Sequence, residues 1–204
     1  MKKMNLKIEM TTEMLGTWPG NPDVAKDFIM SKNPNGVAED ETTAVEDMEE
    51  TLEKAKTVFL KENGKPYIMD YMLKGFLKSA ALTMIDNKTY SAEELKAINL
   101  TKYSYKRTID GQIFFNPRKI FLNLPDGGQI TDFQRTIRVE GHRGERVALA
   151  CSEMVPIGTW FECQMTYLDE RLEKILKDFL DYGQYRGLGQ FRNGGFGQFK
   201  YTIL

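Results

Sequence analysis

The sequence contains little of what builds metal sites, disulfide frameworks or membrane spans. It has only two cysteines and one histidine in 204 residues, which is too few ligands for a dedicated zinc site. The chain starts with Met-Lys-Lys and continues with alternating polar and apolar residues, not with the apolar core of a signal peptide. No window is apolar for long enough to span a membrane. We therefore expect a cytoplasmic protein that uses no metal or other cofactor and no membrane.

An excess of charge of either sign is also missing. The 28 Lys and Arg residues stand against 29 Asp and Glu residues, for a formal net charge of −1. Such a protein does not attract polyanions over its whole surface, so a nucleic-acid site would have to be local. Residues 36–53 contain eight acids and no basic residue, which predicts a solvated, mobile insertion. No acid follows Asp181.

The two cysteines, Cys151 and Cys163, lie on either side of a predicted turn at Pro156-Ile157-Gly158. This placement would allow them to face each other across a hairpin. Because the chain shows no export signal, two buried free thiols are the expected state.

A glycine-rich segment at residues 187–197 leads into an alternating, strand-like sequence from Phe199 to Ile203. Glycine allows the backbone to approach a ligand closely and to direct several N–H groups at one anion. Arg186 and Arg192 add positive charge, so the segment predicts a phosphate site. It lacks the Gly-Lys-Ser/Thr of the mononucleotide loop, and it precedes a strand where the dinucleotide fingerprint would open a helix.

Aromatic residues are interleaved with these basic residues: Tyr182, Tyr185, Phe191, Phe196, Phe199 and Tyr201. Rings stack on bases while cations neutralise phosphates, so the region suits a polynucleotide better than a lone phosphate. The alternative is a glycine-rich turn that merely packs against its own sheet.

The first half of the chain predicts a strand, a long connection and two helices. Leu6, Ile8 and Met10 alternate with polar residues and indicate a strand that ends near Leu15. A connection interrupted by prolines follows at residues 17–63. Asp70 is the expected cap of a helix with apolar positions Leu73, Phe76, Leu77, Ala80 and Met84. Ser91 and Glu94 form a capping box for a second helix at 92–98.

The second half predicts short strands and one strong helix. Strands are expected at 113–115, 119–124, 133–139 and 147–151, separated by Pro and Gly turns that are typical of hairpins. An alternating, half-buried strand follows at 161–167. The last helix is amphipathic and runs from Glu170 to Tyr182, with Asp169 as its cap.

These elements fit two β-α-β halves of one fold. We expect an α+β protein with a ferredoxin-like (RRM-like) β-α-β core, a C-terminal glycine-rich loop, extra β-hairpins and a long acidic insertion. The chain would form a single domain over residues 1–204, with the flexible insertion at about 17–63.

Three segments, in this order along the chain, resemble the RAMP superfamily of RNA-binding proteins from CRISPR systems. They are residues 65–68 with 73–80, residues 155–159, and the glycine-rich segment 187–197. The resemblance is closest to the backbone subunits of type III effector complexes, and a short standalone relative on a mobile element would fit the chain length.

The resemblance also implies which residues contact RNA. The family's helix-start lysine and glycine loop touch the RNA backbone, and these features correspond here to Lys74, Gly189, Arg192, Gly194, Gly195 and Gly197. Lys78 stands where the family pattern prefers arginine, and with Arg186 it completes the candidate phosphate-binding set. The family's long connection can hold an aspartate that cleaves the target. Asp23 or Asp27 would fill that role, or they are ordinary loop residues.

The leading hypothesis is a non-catalytic protein that binds single-stranded RNA or a related nucleotide ligand. The backbone N–H groups of Gly194 to Gly197 would hold phosphates, and Tyr185 or Phe191 would stack a base. The alternative is an anti-defence protein of a phage. It would use the same cleft as a nucleotide-signal sponge, or it would act as a mimic of a CRISPR subunit.

Two further hypotheses remain. A metal-independent endoribonuclease of the guide-RNA-processing type would need a general base, and His142 is the one histidine that could serve, although a histidine in a turn is commonly just solvated. A structural subunit would self-associate or join other effector subunits without nucleic acid.

Overall fold

The computed structural model describes residues 1–20, 56–141 and 144–204. The acidic run at 36–53, the candidate aspartates Asp23 and Asp27, and His142 lie outside these described residues. Within them, no helix is long and apolar enough to cross a membrane.

The described residues form a mixed α+β structure with several sheets. The strands are β1 (Lys2–Met10), β2 (Met14–Leu15), β3 (Trp18–Pro19), β4 (Thr57–Val58), β5 (Leu60–Glu62), β6 (Lys65–Met69), β7 (Ile113–Asn116), β8 (Lys119–Phe121), β9 (Thr131–Gly141), β10 (Gly144–Val155), β11 (Trp160–Tyr167) and β12 (Phe199–Ile203). The helices are α1 (Asp70–Asp86), α2 (Ala92–Ala97), α3 (Tyr105–Gln112), α4 (Leu172–Asp181) and α5 (Gly183–Arg186), followed by a 3-10 turn at Arg192–Gly194.

The central sheet has four antiparallel strands in the order β12-β1-β11-β7. Alternation along β1 and β11 buries one face, so Leu6 and Ile8 pair with Cys163 and Phe161 on the core side. The opposite face carries polar residues such as Asn5 and Gln164. The strands at 161–167 and 199–203 are confirmed, and the first strand ends earlier than predicted, at Met10.

Helices α1 and α4 cover the core side of this sheet. Leu73, Phe76, Leu77 and Ala80 of α1 are buried at the predicted helical spacing. Helix α4 buries Leu172, Ile175, Leu176, Phe179 and Leu180, and Leu176 has no exposed surface. The amphipathic pattern of the last helix is therefore confirmed, and the helix is two residues shorter at its start and one shorter at its end than predicted.

The helix caps differ in part from expectation. The Ser91–Glu94 capping box is present: the Ser91 hydroxyl accepts the Glu94 N–H at 3.2 Å, and the Glu94 carboxylate accepts the Ser91 N–H at 2.9 Å. Asp70 is not a cap, because α1 follows β6 directly and the Asp70 N–H donates to the Arg118 carbonyl at 3.0 Å. Asp169 lies two residues before Arg171, the N-cap residue of α4, and its carboxylate accepts the Arg171 backbone N–H at 2.9 Å and pairs with the Arg171 guanidinium.

Helix α3 was missed by sequence reasoning, which predicted no helix between residues 98 and 113. Its buried residues Tyr105, Thr108 and Ile109 lie three and four positions apart, so a helical signal was present in the sequence. The helix also contains several polar residues and Gly111, which weaken its apolar pattern.

Two further sheets, of five and three strands, complete the described structure. In the first, β10 pairs with β9 as a long hairpin and also with β2 and β4, while β3 pairs with β4. The second has the order β5-β6-β8. Strand β3 lies at the start of the connection predicted at 17–63, and strands β4 and β5 lie at its end. Both ends of this connection are therefore structured.

The cysteines lie in different sheets, with Cys151 in β10 and Cys163 in β11, and both are buried and free. The expected free thiols are confirmed. The alternative of a facing pair across a hairpin is wrong, because the chain changes sheet at the turn between the two strands.

Candidate nucleic-acid interface

The glycine-rich loop closes on itself. The Leu188 N–H donates to the Gly197 carbonyl at 2.7 Å, and the Gly197 N–H donates to the Glu13 carbonyl at 2.7 Å. Gly187 and Gly197 both have positive φ, and a Cβ on Gly187 would lie 2.5 Å from the Gly197 carbonyl carbon. Packing within the loop therefore requires these two glycines, as expected for the alternative of a glycine-rich turn with a purely structural role.

The other backbone N–H groups of the loop either donate to a backbone carbonyl or have no acceptor among the described residues. Gly194 and Gly195 donate to the carbonyls of Phe191 and Arg192 at 2.8 and 3.1 Å, so these N–H groups, like that of Gly197, do not face a ligand. Among the described residues, the N–H groups at positions 189–191 donate to no acceptor. The N–H groups of Arg192, Asn193 and Phe196 likewise donate to no described acceptor, so the candidate anion donors of the loop are residues 189–193 and Phe196.

Three arginines converge beside these donors. Arg135 from β9, Arg186 at the end of α5 and Arg192 in the 3-10 turn line an open cleft of ≈ 520 Å³, which we call the arginine cleft. Its other lining residues are Gly189, Gln190, Phe191 and Asn193. Sequence analysis identified Arg186, Gly189 and Arg192, and the fold brings these three together.

The positions of these arginines are supported by specific contacts. The Arg135 guanidinium lies 3.9 Å from the centroid of the Phe191 ring, as a cation–π pair. The Arg186 guanidinium donates to the Asn193 side-chain oxygen at 2.5 Å. Phe191 itself has a left-handed backbone, with φ 49°.

The positive charge of the cleft has no carboxylate partner among the described residues. Within the described part of the chain, none of its three arginines forms an ion pair with a carboxylate. Burial, and secondarily the charge of Arg186, lower the pKa of Arg192 below its ordinary value, although an arginine stays charged at neutral pH. An anion bound in the cleft would offset both the desolvation and the repulsion.

An aromatic cluster attaches the loop to the β9–β10 hairpin. The ring of Phe133 on β9 lies 4.7 Å from that of Phe196 and 6.5 Å from that of Phe191, while Phe191 and Phe196 stack at 5.6 Å. Phe191, which sequence analysis proposed as a stacking residue, and Phe196 thus also hold the loop in place. Phe191 still has 36% of its surface exposed.

A second cavity adjoins the arginine cleft. This cavity, which we call the Trp18 cavity, has a volume of ≈ 400 Å³ and is lined by Trp18 of β3, by Tyr71, Gly75 and Phe76 of α1, and by neighbouring residues. Gly189 and Arg192 line both cavities. The two form one groove that runs from the β9–β10 hairpin, past the glycine loop, to helix α1.

The predicted lysines are engaged elsewhere. Lys78 forms an ion pair with Asp110 of α3 at 2.6 Å, and Lys74 donates to the Asp110 carbonyl at 3.3 Å and lies 4.8 Å from the Phe114 ring centroid. Neither lines the arginine cleft or the Trp18 cavity. They do share one side of α1 with Tyr71 and Gly75, because residues three and four apart are neighbours on a helix.

Sequence reasoning missed Arg135, Trp18 and Tyr71. Arg135 and Trp18 lie far from the glycine loop in sequence, and no local pattern marks them as site residues. Tyr71 adjoins the predicted cap Asp70, and no local pattern marks it as a site residue either. In the described residues no group of three His, Cys, Asp or Glu side chains could hold a metal ion.

Comparison with solved structures identifies the fold. Over its full length the chain matches 60% of a chain in a type III-B Cmr-beta structure bound to cognate target RNA, with a TM-score of 0.54 and 16% identity. It matches 90% of a chain in a type IV-B CRISPR complex, with a TM-score of 0.50 and 10% identity. With 98% of its length it matches 98% of Cmr6 from Pyrococcus furiosus, with a TM-score of 0.50 and 12% identity.

These neighbours are RAMP-containing proteins of type III and type IV CRISPR systems. The chain has a RAMP-like fold. The resemblance stated from the sequence motifs is therefore confirmed at the level of the fold, which is all that identities of 10–16% establish. No protein-family model and no characterised sequence matches the chain. The chain spans only 60% of its counterpart in the Cmr-beta structure.

Proposed function

We propose that this RAMP-like protein binds single-stranded RNA through its phosphate backbone and does not cleave it. The observation that carries the proposal is the arginine cleft, in which three guanidinium groups without carboxylate partners among the described residues converge beside the N–H groups of residues 189–193, which have no acceptors there. Arginine and backbone N–H groups are the usual donors to phosphate oxygens. Such contacts hold the backbone without reading its sequence.

The surrounding architecture supports the same function. We interpret the sheet β12-β1-β11-β7 with α1 and α4 as a ferredoxin-like core in a single domain, with the acidic run as a peripheral insertion. The groove along the glycine loop is open at both cavities, so a strand can pass through it. The RNA-bound Cmr-beta complex and the type IV-B complex make RNA and other effector subunits the partners to test first.

The lysines of α1 extend this proposed path. Lys74 and Lys78 lie on the same helix side as Tyr71 and Gly75, which line the Trp18 cavity. A phosphate that follows this cavity would compete with Asp110 for both ammonium groups. We therefore keep both lysines in the proposed phosphate-binding set, together with Arg186, Arg192 and the newly found Arg135.

Fluorescence-anisotropy titration of a labelled single-stranded RNA at several salt concentrations tests the proposal. Wild-type affinity should fall with salt, with a slope of about −0.7 for each neutralised phosphate. Arg192→Gln and Arg186→Gln should each weaken binding of all sequences and flatten the slope by about 0.7. The RNA should remain intact on a denaturing gel after incubation with the protein.

Arg171→Gln is the matched control. Arg171 stands at the opposite end of α4 from the glycine loop and pairs with Asp169 at 2.7 Å, so its loss should leave RNA affinity unchanged. Equal affinity of wild type, Arg192→Gln and Arg186→Gln would refute the proposal.

A further inference from the structure

Gly75 lies in the interior of helix α1, and the protein itself does not require a glycine there. A Cβ built on Gly75 would meet no atom of the described residues within 4 Å, and its backbone is an ordinary helical one. A glycine inside a helix is destabilising relative to alanine. Gly75 therefore leaves space open at a cost in stability, and that space belongs to the Trp18 cavity.

The walls of this cavity match the chemistry of a nucleobase. Trp18 and Tyr71 supply accessible aromatic surface, and Tyr71 has 51% of its surface exposed, while the ring of Phe76 belongs to the core. Flat aromatic side chains are the usual stacking partners of unpaired bases. A stacked base needs its ring face close to the protein, and the missing side chain at Gly75 permits this approach from helix α1.

The cavity also has a polar group that can recognise the edge of a base. Thr17 lines the cavity, and among the described residues its hydroxyl donates only to the Met72 sulfur, at 3.8 Å. A thioether is a weak acceptor. The hydroxyl can therefore exchange this contact for a stronger hydrogen bond to a ring nitrogen or an exocyclic oxygen.

Continuity with the arginine cleft identifies the occupant. Gly189 and Arg192 line both cavities, so a phosphate held by Arg192 lies at the entrance of the Trp18 cavity. In a nucleotide, base and phosphate are joined by a single ribose. We propose that the Trp18 cavity is a nucleobase subsite, which takes one unstacked base of the polynucleotide whose phosphate binds at Arg192.

This inference rests on the proposed RNA binding and adds a base contact to it. A base contact and a backbone contact respond differently to the removal of the bases. The test is an anisotropy titration with a labelled single-stranded RNA and with an abasic phosphodiester oligomer of the same length and charge, at one fixed salt concentration. Wild-type protein should bind the RNA about tenfold or more tightly than the abasic oligomer.

Gly75→Ala is the decisive variant. Its added methyl group should raise the melting temperature while it weakens RNA binding about fivefold or more, with no effect on the abasic oligomer and none on the salt slope. Tyr71→Ala should show the same loss for RNA only. Gly111→Ala is the control, since Gly111 is also an exposed helical glycine with open space around it but lies on α3, outside both cavities. It should stabilise the protein without changing either affinity.

The outcomes separate the two proposals. If Arg192→Gln weakens RNA binding while Gly75→Ala and Tyr71→Ala do not, the nucleobase subsite is refuted and RNA binding stands. If Gly75→Ala weakens RNA and abasic oligomer equally, the cavity contacts the backbone and the subsite is again refuted. If the wild type binds neither oligomer, both proposals fail.

Discussion

The N–H of Leu188 donates to the carbonyl oxygen of Gly197 over 2.7 Å and so joins the two ends of the glycine-rich loop. A Cβ on Gly197 would collide with the Leu188 carbonyl, and its φ of +77° is unfavourable for other residues. Gly187 and Gly197 thus fix the two ends of the loop. Residues 189–193, which lie between them, line the arginine cleft. Gly197 is required for the loop's shape, and Arg192 for its charge.

Gly197→Ala should therefore destabilise the protein much more than Gly195→Ala. Both residues have positive φ, but a Cβ on Gly195 would meet nothing within 4 Å. The Gly195 change costs about 1–2 kcal/mol of backbone strain, while the Gly197 change adds a steric displacement and should cost about 3 kcal/mol or more. Urea denaturation of the two variants measures the difference. Equal losses would show that the loop can open at residue 197.

Leu176→Ala should lower the free energy of unfolding by about 2–5 kcal/mol, because Leu176 is fully buried between α4 and the central sheet. Leu168→Ala serves as the comparison, since 44% of Leu168 is exposed, and it should change stability by about 0.5 kcal/mol or less. Chemical denaturation followed by circular dichroism gives both values. A small loss for Leu176 would contradict the packing of α4.

Asp110→Asn should strengthen RNA binding. The change removes the carboxylate that pairs with Lys78 at 2.6 Å and so leaves this ammonium group, beside Lys74, available to phosphate. The pair is exposed, so the gain should be modest, about two- to fivefold, with a steeper salt slope and little change in stability. Asp86→Asn, which breaks the exposed Lys102 pair, should leave binding unchanged. Unaltered affinity of Asp110→Asn would remove Lys78 from the phosphate-binding set.

Both cysteines should resist a thiol reagent in the native protein. Burial raises the pKa of the Cys163 thiol to about 12, so very little of the reactive thiolate exists at pH 8. Cys151 is shielded by its burial in β10. Ellman's reagent should therefore detect little thiol at pH 8 before denaturation and two thiols per chain in guanidinium chloride. Rapid reaction in the native state would contradict the burial of both residues.

Short-range patterns predicted much of the secondary structure. The alternation in β1 and β11, the Ser91–Glu94 capping box and the spacing of Leu172 to Phe179 each identified an element that the structure contains. These signals succeed because a strand or helix must bury one face, which imposes its period on neighbouring residues. The signal failed at α3, where few apolar residues mark the buried side, and at Asp70, where an adjacent strand replaces the cap.

The sequence by itself indicated the RAMP-like fold, through three motifs in order along the chain. It also identified the glycine-rich loop and the charge of Arg186 and Arg192, because these patterns lie within short segments. Only the tertiary structure decided which groups share a site. It placed Arg135 and Trp18 beside the loop, engaged Lys74 and Lys78 with Asp110, and turned the N–H groups of Gly194 and Gly195 inward. The physical reason is that hydrogen bonds and packing between distant segments determine which donors and cations remain free, and no local pattern records them.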